Sequence, residues 1–185
     1  MTSQIILLNG VGSVGKSSLA KALQETLTEP FLHVQMDTFL EMLPGKFENH
    51  IDSFSFNRLN EDGHPSIEIK SGPVGVRLMD GMRHAIAALA KAGNNMIIDD
   101  VIFDQSFEDY KQLLSSFGLH TIGLFAPLDI LEQREKQRGD RMLGLSRWQY
   151  AQVHKGKVYD LEIDTSDLSP KDAAQLIIKT FGLQS

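Results

Sequence analysis

The 185-residue sequence contains no cysteine. This absence excludes a disulfide framework, a cysteine-ligated zinc site and a thiol nucleophile. Long hydrophobic runs are also missing, because the first apolar segment, Ile5–Leu8, is far too short for a membrane span or a signal peptide, and no basic residue precedes it. We therefore expect a cytoplasmic protein without a membrane partner.

Basic residues are fewer than acidic residues overall, and they are concentrated in one stretch of the chain. The chain has 18 basic and 24 acidic residues, a formal net charge of −6. Between Leu131 and Lys157 the net charge is +4, whereas the rest of the chain carries −10. Net acidity argues against nucleic acid as a partner. Two interpretations of the basic stretch remain open: a solvated helix face with Glu–Arg pairs, or a site for an anionic ligand.

No internal repeat, low-complexity tract or linker divides the sequence, so we expect one domain over residues 1–185. Apolar runs predict five strands, at residues 5–9, 31–36, 95–102, 119–126 and 158–164. Helical spacing and end signals predict helices at residues 16–28, 37–43, 73–92, 104–117, 127–138 and 169–181.

This alternation of strands and helices predicts an α/β fold with a five-stranded parallel sheet and helices on both faces, as a three-layer sandwich. Ligands of such sheets bind at the carboxyl ends of the strands. Residues 46–72 fit neither periodicity, which is typical of a functional flap or of disorder. We define the substrate flap as about residues 44–72, with Phe54 as its candidate substrate contact.

The strongest motif follows the first predicted strand directly. Residues 10–17 match G-x-x-x-x-G-K-[ST], in which glycines let successive backbone N–H groups point at phosphate oxygens. The helix that follows adds the positive end of its dipole. Lys16 would reach the β- and γ-phosphates, and the Ser17 hydroxyl would ligate Mg²⁺. The predicted nucleotide contacts in this segment are Gly10, Val11, Gly12, Ser13, Val14, Gly15, Lys16, Ser17 and Ser18.

Acidic residues end two of the other predicted strands. Asp99 and Asp100 close an apolar strand, where a carboxylate could hold Mg²⁺ directly or through water, and the alternative is a pair of acids at a turn. Adjacent residues point to opposite faces, so one of the two would meet the metal, and the sequence leaves open which. Asp37 follows the second strand, where it could accept the proton of an attacking hydroxyl or cap a helix that begins at Thr38.

The basic stretch contains Arg134, Arg138 and Arg141, at spacings of four and three. This spacing places them on one helical face or its extension, and guanidinium groups suit the charge that develops in phosphoryl transfer. Gly139 could serve as a hinge. With a phosphate motif elsewhere in the chain, we expect an arginine lid at about residues 128–150, with these three arginines as catalytic residues.

Several segments together resemble the chloramphenicol phosphotransferase-like family of P-loop kinases. The likeness runs over nearly the whole chain. In the first half of the chain it is carried by residues 6–10 leading into the phosphate motif, by Asp37 and by residues 97–101. In the second half it is carried by the block R-E-K-Q-R-G-D-R at residues 134–141 and by the patterns V-H-x-G and Y-D within residues 149–166.

The resemblance implies a five-stranded kinase core that uses ATP and Mg²⁺ to phosphorylate an alcohol. It implies Asp37 as the general base, Asp100 near the acceptor, and Asp164 and Thr165 in a loop beside the adenine. We take Asp99 as the candidate metal ligand beside Ser17. The expected partner is a small hydroxyl compound, which could be chloramphenicol or a related amphenicol, and a homo-oligomer stays open.

Two alternatives stay open as well. The same core could phosphorylate another metabolite, a nucleotide or a toxin-type substrate. From a different class, a nucleotide-binding switch would act by changing shape, although the sequence lacks the guanine motif N/T-K-x-D that such a switch uses.

Overall fold

The structure is a computed structural model that describes residues 2–61, 63–103, 105–139 and 142–185. In chain order its elements are β1 (Gln4–Gly10), α1 (Lys16–Thr26), β2 (Phe31–Gln35), α2 (Met36–Leu40), a 3₁₀ turn (Gly45–Phe47), β3 (Phe54–Glu61), β4 (His64–Ser71), α3 (Pro73–Lys91), β5 (Asn95–Asp100), α4 (Ser106–Leu113), β6 (Gly118–Phe125), α5 (Leu128–Arg138), α6 (Leu145–Tyr150), β7 (Leu161–Asp164) and α7 (Pro170–Phe181).

Five of these strands form one parallel sheet in the order β2-β5-β1-β6-β7. Side chains of β1 alternate between two apolar clusters: Ile6 and Leu8 pack with α1, α5 and α7, whereas Ile5 and Leu7 pack with α3 and α4. All four are fully buried, as the central strand of a sheet covered on both faces requires. The predicted three-layer α/β architecture is confirmed.

Parallel pairing brings the carboxyl ends of β1, β5 and β2 to the same edge of the sheet. Asn9 lies opposite Asp100, and Gln35 lies opposite Asp99. The segment that follows β1 therefore begins beside the acidic end of β5, which is the neighbourhood where ligands of open α/β sheets bind.

The substrate flap contains regular structure, so the prediction of an irregular or disordered segment is wrong. β3 and β4 form an antiparallel hairpin. The hairpin packs on α6, where the backbone N–H of Ile67 donates to the carbonyl of Gly144 at 3.1 Å. Ile67 is buried, whereas the outer half of β3 is exposed, so the apolar alternation that marks a strand is weak.

Other element boundaries differ from the predictions by a few residues. The helix expected at residues 104–117 spans Ser106–Leu113, Asp104 lies outside the described residues, and α6 was not predicted at all. The last helix starts as expected, because the Ser169 hydroxyl accepts a hydrogen bond from the Asp172 backbone N–H at 3.1 Å. Among the described residues, no helix has the length and apolar character needed to cross a membrane.

Candidate active site

The phosphate loop, residues 10–17, connects β1 to α1 and wraps around one ammonium group. Lys16 is the first residue of α1 and is 7% exposed. Its Nζ donates to the carbonyls of Gly10 at 2.9 Å and Val11 at 3.1 Å. Gly15 has φ 103°, a left-handed conformation that suits glycine, and no side chain caps the start of α1. The first-turn N–H groups of α1 are thus left for an anionic ligand.

Ser13 marks the loop as a binding surface rather than a simple turn. It has φ 67°, which is rare for a residue with a side chain. Its buried hydroxyl has no hydrogen-bond partner among the residues that the structure describes. An unsatisfied buried hydroxyl costs about 1–3 kcal/mol, and a phosphate oxygen at this position would remove that cost. The loop therefore fits a bound phosphate group.

A cavity opens in front of the phosphate loop, and we call it the central cavity. Its lining residues are Gly12, Ser13, Gly15, Lys16, Ser17, Ser18, Gln35, Met36, Asp37, Asp99, Asp100, Val101 and Arg138. The lining residues belong to the ends of β2 and β5 and to the segments that follow β1, β2 and β5, together with Arg138. The cavity thus brings together most of the predicted site residues.

Ser17 and Asp99 form a close polar pair in the central cavity. The Ser17 hydroxyl donates to Asp99 Oδ2 at 2.6 Å. Burial raises the pKa of Asp99, but the neighbouring His33, the Lys16 charge and the Ser17 hydroxyl outweigh burial, so the net pKa lies below its ordinary value. A hydroxyl beside an ionised carboxylate is the kind of oxygen pair that binds Mg²⁺. These residues fit the metal that the phosphate loop implies.

Asp100 is oriented differently from its neighbour. Its Oδ1 accepts from the backbone N–H of Val101 at 2.7 Å, and its Oδ2 accepts from the Tyr110 hydroxyl at 2.9 Å. Burial raises the pKa of Asp100 above its ordinary value. Of the two adjacent acids, Asp99 is therefore the one with the geometry of a metal ligand.

Asp37 lies in the first turn of α2 and lines the central cavity. The helix begins at Met36, with Gln35 at the N-cap position and no side-chain cap. The alternative that Asp37 caps a helix starting at Thr38 is therefore wrong. Asp37 thus lies at the cavity, and its role as a proton acceptor stays a prediction.

The arginines of the lid have different surroundings. Arg138 is the last residue of α5, before Gly139 at φ 71°, and lines the central cavity. Arg134 lies one turn earlier and donates to the Thr165 hydroxyl at 3.1 Å and to the carbonyls of Thr165 at 2.7 Å and Ser166 at 3.1 Å. The structure thus brings Arg138 to the cavity and Arg134 to the loop after β7. Arg141 lies outside the described residues.

The loop after β7 is tied to the phosphate loop. The Thr165 hydroxyl lies 2.9 Å from the carbonyl of Val14. Asp164 is exposed, and its Oδ1 accepts from the Ser166 backbone N–H at 2.8 Å. Hydrogen bonds from the Ser166 side chain and backbone lower the pKa of Asp164. Thr165 therefore contacts the phosphate loop, Asp164 is its neighbour in the chain, and their role as nucleotide contacts stays a prediction.

Helix α6 packs over the phosphate loop through contacts that were not predicted from the sequence. Gly12 donates its backbone N–H to Gln149 Oε1 at 2.7 Å and accepts from the Ser146 hydroxyl at 3.3 Å. Glu135 is 3% exposed and accepts from the backbone N–H groups of Gly144 at 2.7 Å and Ser146 at 2.8 Å. Glu135 therefore caps the start of α6 from inside the lid.

Phe54 is not among the residues that line the central cavity. It lies at the start of β3 and packs against α3, where a Cβ added to Gly75 would come within 2.9 Å of its ring. The structure therefore does not bring Phe54 to the phosphate loop, and its role in substrate binding stays a prediction.

Comparison with known proteins identifies the family. A family model described as "Chloramphenicol phosphotransferase-like protein" matches residues 3–182. The chain belongs to this family. A Mycobacterium tuberculosis H37Rv protein named "Putative O-phosphotransferase Rv2636" is 30% identical over 169 residues, which cover 88% of this chain and 75% of the relative. The resemblance inferred from the sequence is thus confirmed.

Solved structures similar to this member of the chloramphenicol phosphotransferase-like family include two small-molecule kinases. The Mycobacterium tuberculosis APS kinase CysC in complex with AMPPNP and APS has TM-score 0.66 and 15% identity, over 98% of both chains. The Acinetobacter baumannii shikimate kinase in complex with shikimate has TM-score 0.61 and 16% identity, over 96% of this chain and 92% of the kinase. At these identities the likeness shows the P-loop kinase fold.

Proposed function

We propose that the protein transfers the γ-phosphoryl group of ATP to a hydroxyl of a small molecule, in the presence of Mg²⁺. The observation that carries this proposal is the Ser17–Asp99 pair beside Lys16, in a cavity that Asp37 also lines. Membership of a phosphotransferase family supports the reaction type. Chloramphenicol or a related amphenicol is one candidate acceptor, and another hydroxyl metabolite or a nucleotide is the alternative. The cytoplasmic location stays a prediction.

The phosphate loop would bind the triphosphate. Lys16 would exchange its bonds to the loop carbonyls for the β- and γ-phosphate oxygens, and the Ser13 hydroxyl would gain the partner that it lacks among the described residues. Ser17 and Asp99 would hold Mg²⁺, which when bound neutralises charge on the β- and γ-phosphates. Asp164 and Thr165 would lie beside the base of the nucleotide.

Asp37 would act as the general base. It accepts the proton of the acceptor hydroxyl while the oxygen of that hydroxyl bonds to the γ-phosphorus, and the bond from phosphorus to the β–γ bridging oxygen breaks to release ADP. Arg138 would stabilise the charge on the transferring phosphoryl group, because it reaches the same cavity from the lid. Asp100 would contact the acceptor, since it also lines the cavity.

The test is a screen of hydroxyl compounds with ADP release and product mass spectrometry as paired readouts. The panel contains chloramphenicol, its dehydroxylated analogues, nucleosides and sugars. One compound should gain one phosphoryl unit in step with ADP, and the matching dehydroxylated compound should not. Lys16→Ala should abolish both signals, because it removes the phosphate-binding ammonium. ADP release without any phosphorylated product would contradict the proposal.

A further inference from the structure

A buried histidine lies beside the Ser17–Asp99 pair. His33 is on β2, and its side chain is 10% exposed. The Nε2 atom of His33 is buried and has no hydrogen-bond partner of good geometry among the described residues. It lies 3.4 Å from Asp99 Oδ2, and the Asp99 side chain is itself 8% exposed. The candidate metal ligand is therefore a charged group within reach of this unsatisfied nitrogen.

The strand register explains why His33 reaches Asp99. Gln35 is the register partner of Asp99, and His33 is the partner of Ile97. Side chains two residues apart on a strand share a face, so His33, Gln35 and Asp99 lie on the same face of the sheet. His33 thus approaches Asp99 from the interior, below the central cavity, and does not line the cavity.

Stability alone favours an apolar side chain at this position. An unpaired imidazole nitrogen in a buried site costs about 1–3 kcal/mol, and a leucine of similar size would avoid that cost. A histidine at position 33 is explained if its Nε2 atom donates a hydrogen bond to the Asp99 carboxylate. Asp99 Oδ2 already accepts from the Ser17 hydroxyl at 2.6 Å, and a second donor on the same oxygen would fix the rotation of the carboxylate.

We propose that His33 is a positioning residue for the metal site, which donates from Nε2 to Asp99 Oδ2 and thereby fixes the orientation in which the Asp99 carboxylate would hold the ion. This inference rests on the proposed function, because it assumes that Asp99 serves Mg²⁺. Hydrogen bonds from neighbouring groups commonly orient metal-ligating carboxylates in this way, and their loss lowers metal affinity about 10–100-fold.

The test compares His33→Leu with His33→Gln, because Gln can place an amide N–H near the position of Nε2 whereas Leu cannot. Binding of a non-hydrolysable ATP analogue is measured as Mg²⁺ is titrated. The Mg²⁺ concentration at half-maximal binding should rise about tenfold in His33→Leu and return toward the wild-type value in His33→Gln. His84→Gln is the matched control, because His84 has a 62% exposed side chain on α3.

Two further readouts separate positioning from folding. Thermal unfolding without metal should be unchanged or slightly improved in His33→Leu, and analogue binding in EDTA should equal that of the wild type. An unchanged Mg²⁺ midpoint in His33→Leu, or equal midpoints in the Leu and Gln variants, would overturn the assignment of His33 alone. If wild-type analogue binding shows no response to Mg²⁺, the proposed function fails, and the role of His33 fails with it.

Discussion

Replacing Glu135 by glutamine tests whether the lid is held over the phosphate loop through the start of α6. Glu135 is 3% exposed and accepts from two backbone N–H groups, those of Gly144 at 2.7 Å and Ser146 at 2.8 Å. Glutamine keeps one acceptor oxygen and turns its amide N–H₂ toward the other N–H. The change therefore loses one hydrogen bond to a charged group, about 1.5–3 kcal/mol, and leaves one N–H buried without a partner.

We expect a free energy of unfolding lower by about 2–4 kcal/mol, because the lost bond and the N–H left without a partner are two parts of one loss and do not add in full. For a chain of this size that corresponds to a Tm lower by roughly 5–15 °C. Nucleotide affinity should fall as well, by about fivefold, because α6 carries Gln149 and with it one hydrogen bond to Gly12. Urea titration followed by fluorescence, and equilibrium binding of an ATP analogue, measure the two effects.

Glu108→Gln is the matched control for this experiment. The Glu108 side chain is 55% exposed on α4 and pairs with Lys111, so the substitution should lower the free energy of unfolding by less than about 1 kcal/mol. Equal stability of the Glu135→Gln and Glu108→Gln proteins would refute the reasoning. Unchanged nucleotide binding in a clearly destabilised Glu135→Gln protein would refute the link from α6 to the phosphate loop.

Two further predictions concern the lid and the pH dependence of stability. Arg138→Ala should lower kcat by about 10²–10⁴ through loss of charge stabilisation. Lys136→Ala, an exposed change on the same helix, should leave kcat unchanged. An effect of Arg138→Ala under about threefold would instead support the interpretation of Arg138 as part of a solvated helix face. Burial lowers the pKa of His154 from 6.5 to about 4. Between these two pH values the imidazole is protonated in the unfolded chain and neutral in the folded protein, so the free energy of unfolding falls as the pH drops from 6.5 to about 4. His154→Gln should lose less free energy of unfolding over the same pH range, and an equal loss in equilibrium urea titrations would contradict this.

The sheet and the phosphate loop could be predicted from the sequence, because both depend on local patterns. The apolar run Ile5–Leu8 predicts a fully buried strand, and the loop motif requires its residues at fixed spacing. Parallel strands place their carboxyl ends at one edge, which is enough to bring Asp37 and Asp99 near that loop. Alternation alone does not say which face the loop covers, so the preference for Asp99 over Asp100 gained its support only from the contact between Asp99 and Ser17.

The contacts of α6 and of Glu135 could not be predicted, because they join residues far apart in the chain. Gln149 and Gly12 are 137 positions apart, and no local pattern marks the pair. Glu135 lies between basic residues on a helix, where sequence rules suggest a solvated ion pair rather than a buried cap. His33 offered a weak signal, since it precedes Gln35 and Asp37 at intervals of two and so shares a strand face with Gln35.

The most direct test of the central claim measures ATP binding and phosphoryl transfer separately in Asp37→Asn. Once an acceptor is found, single-turnover transfer and equilibrium binding of an ATP analogue are compared with wild type and with Asp129→Asn, an exposed change on α5. The account predicts that Asp37→Asn binds the analogue normally and transfers about 10²–10⁴ times more slowly. Near-wild-type transfer by Asp37→Asn would contradict the assignment of the base.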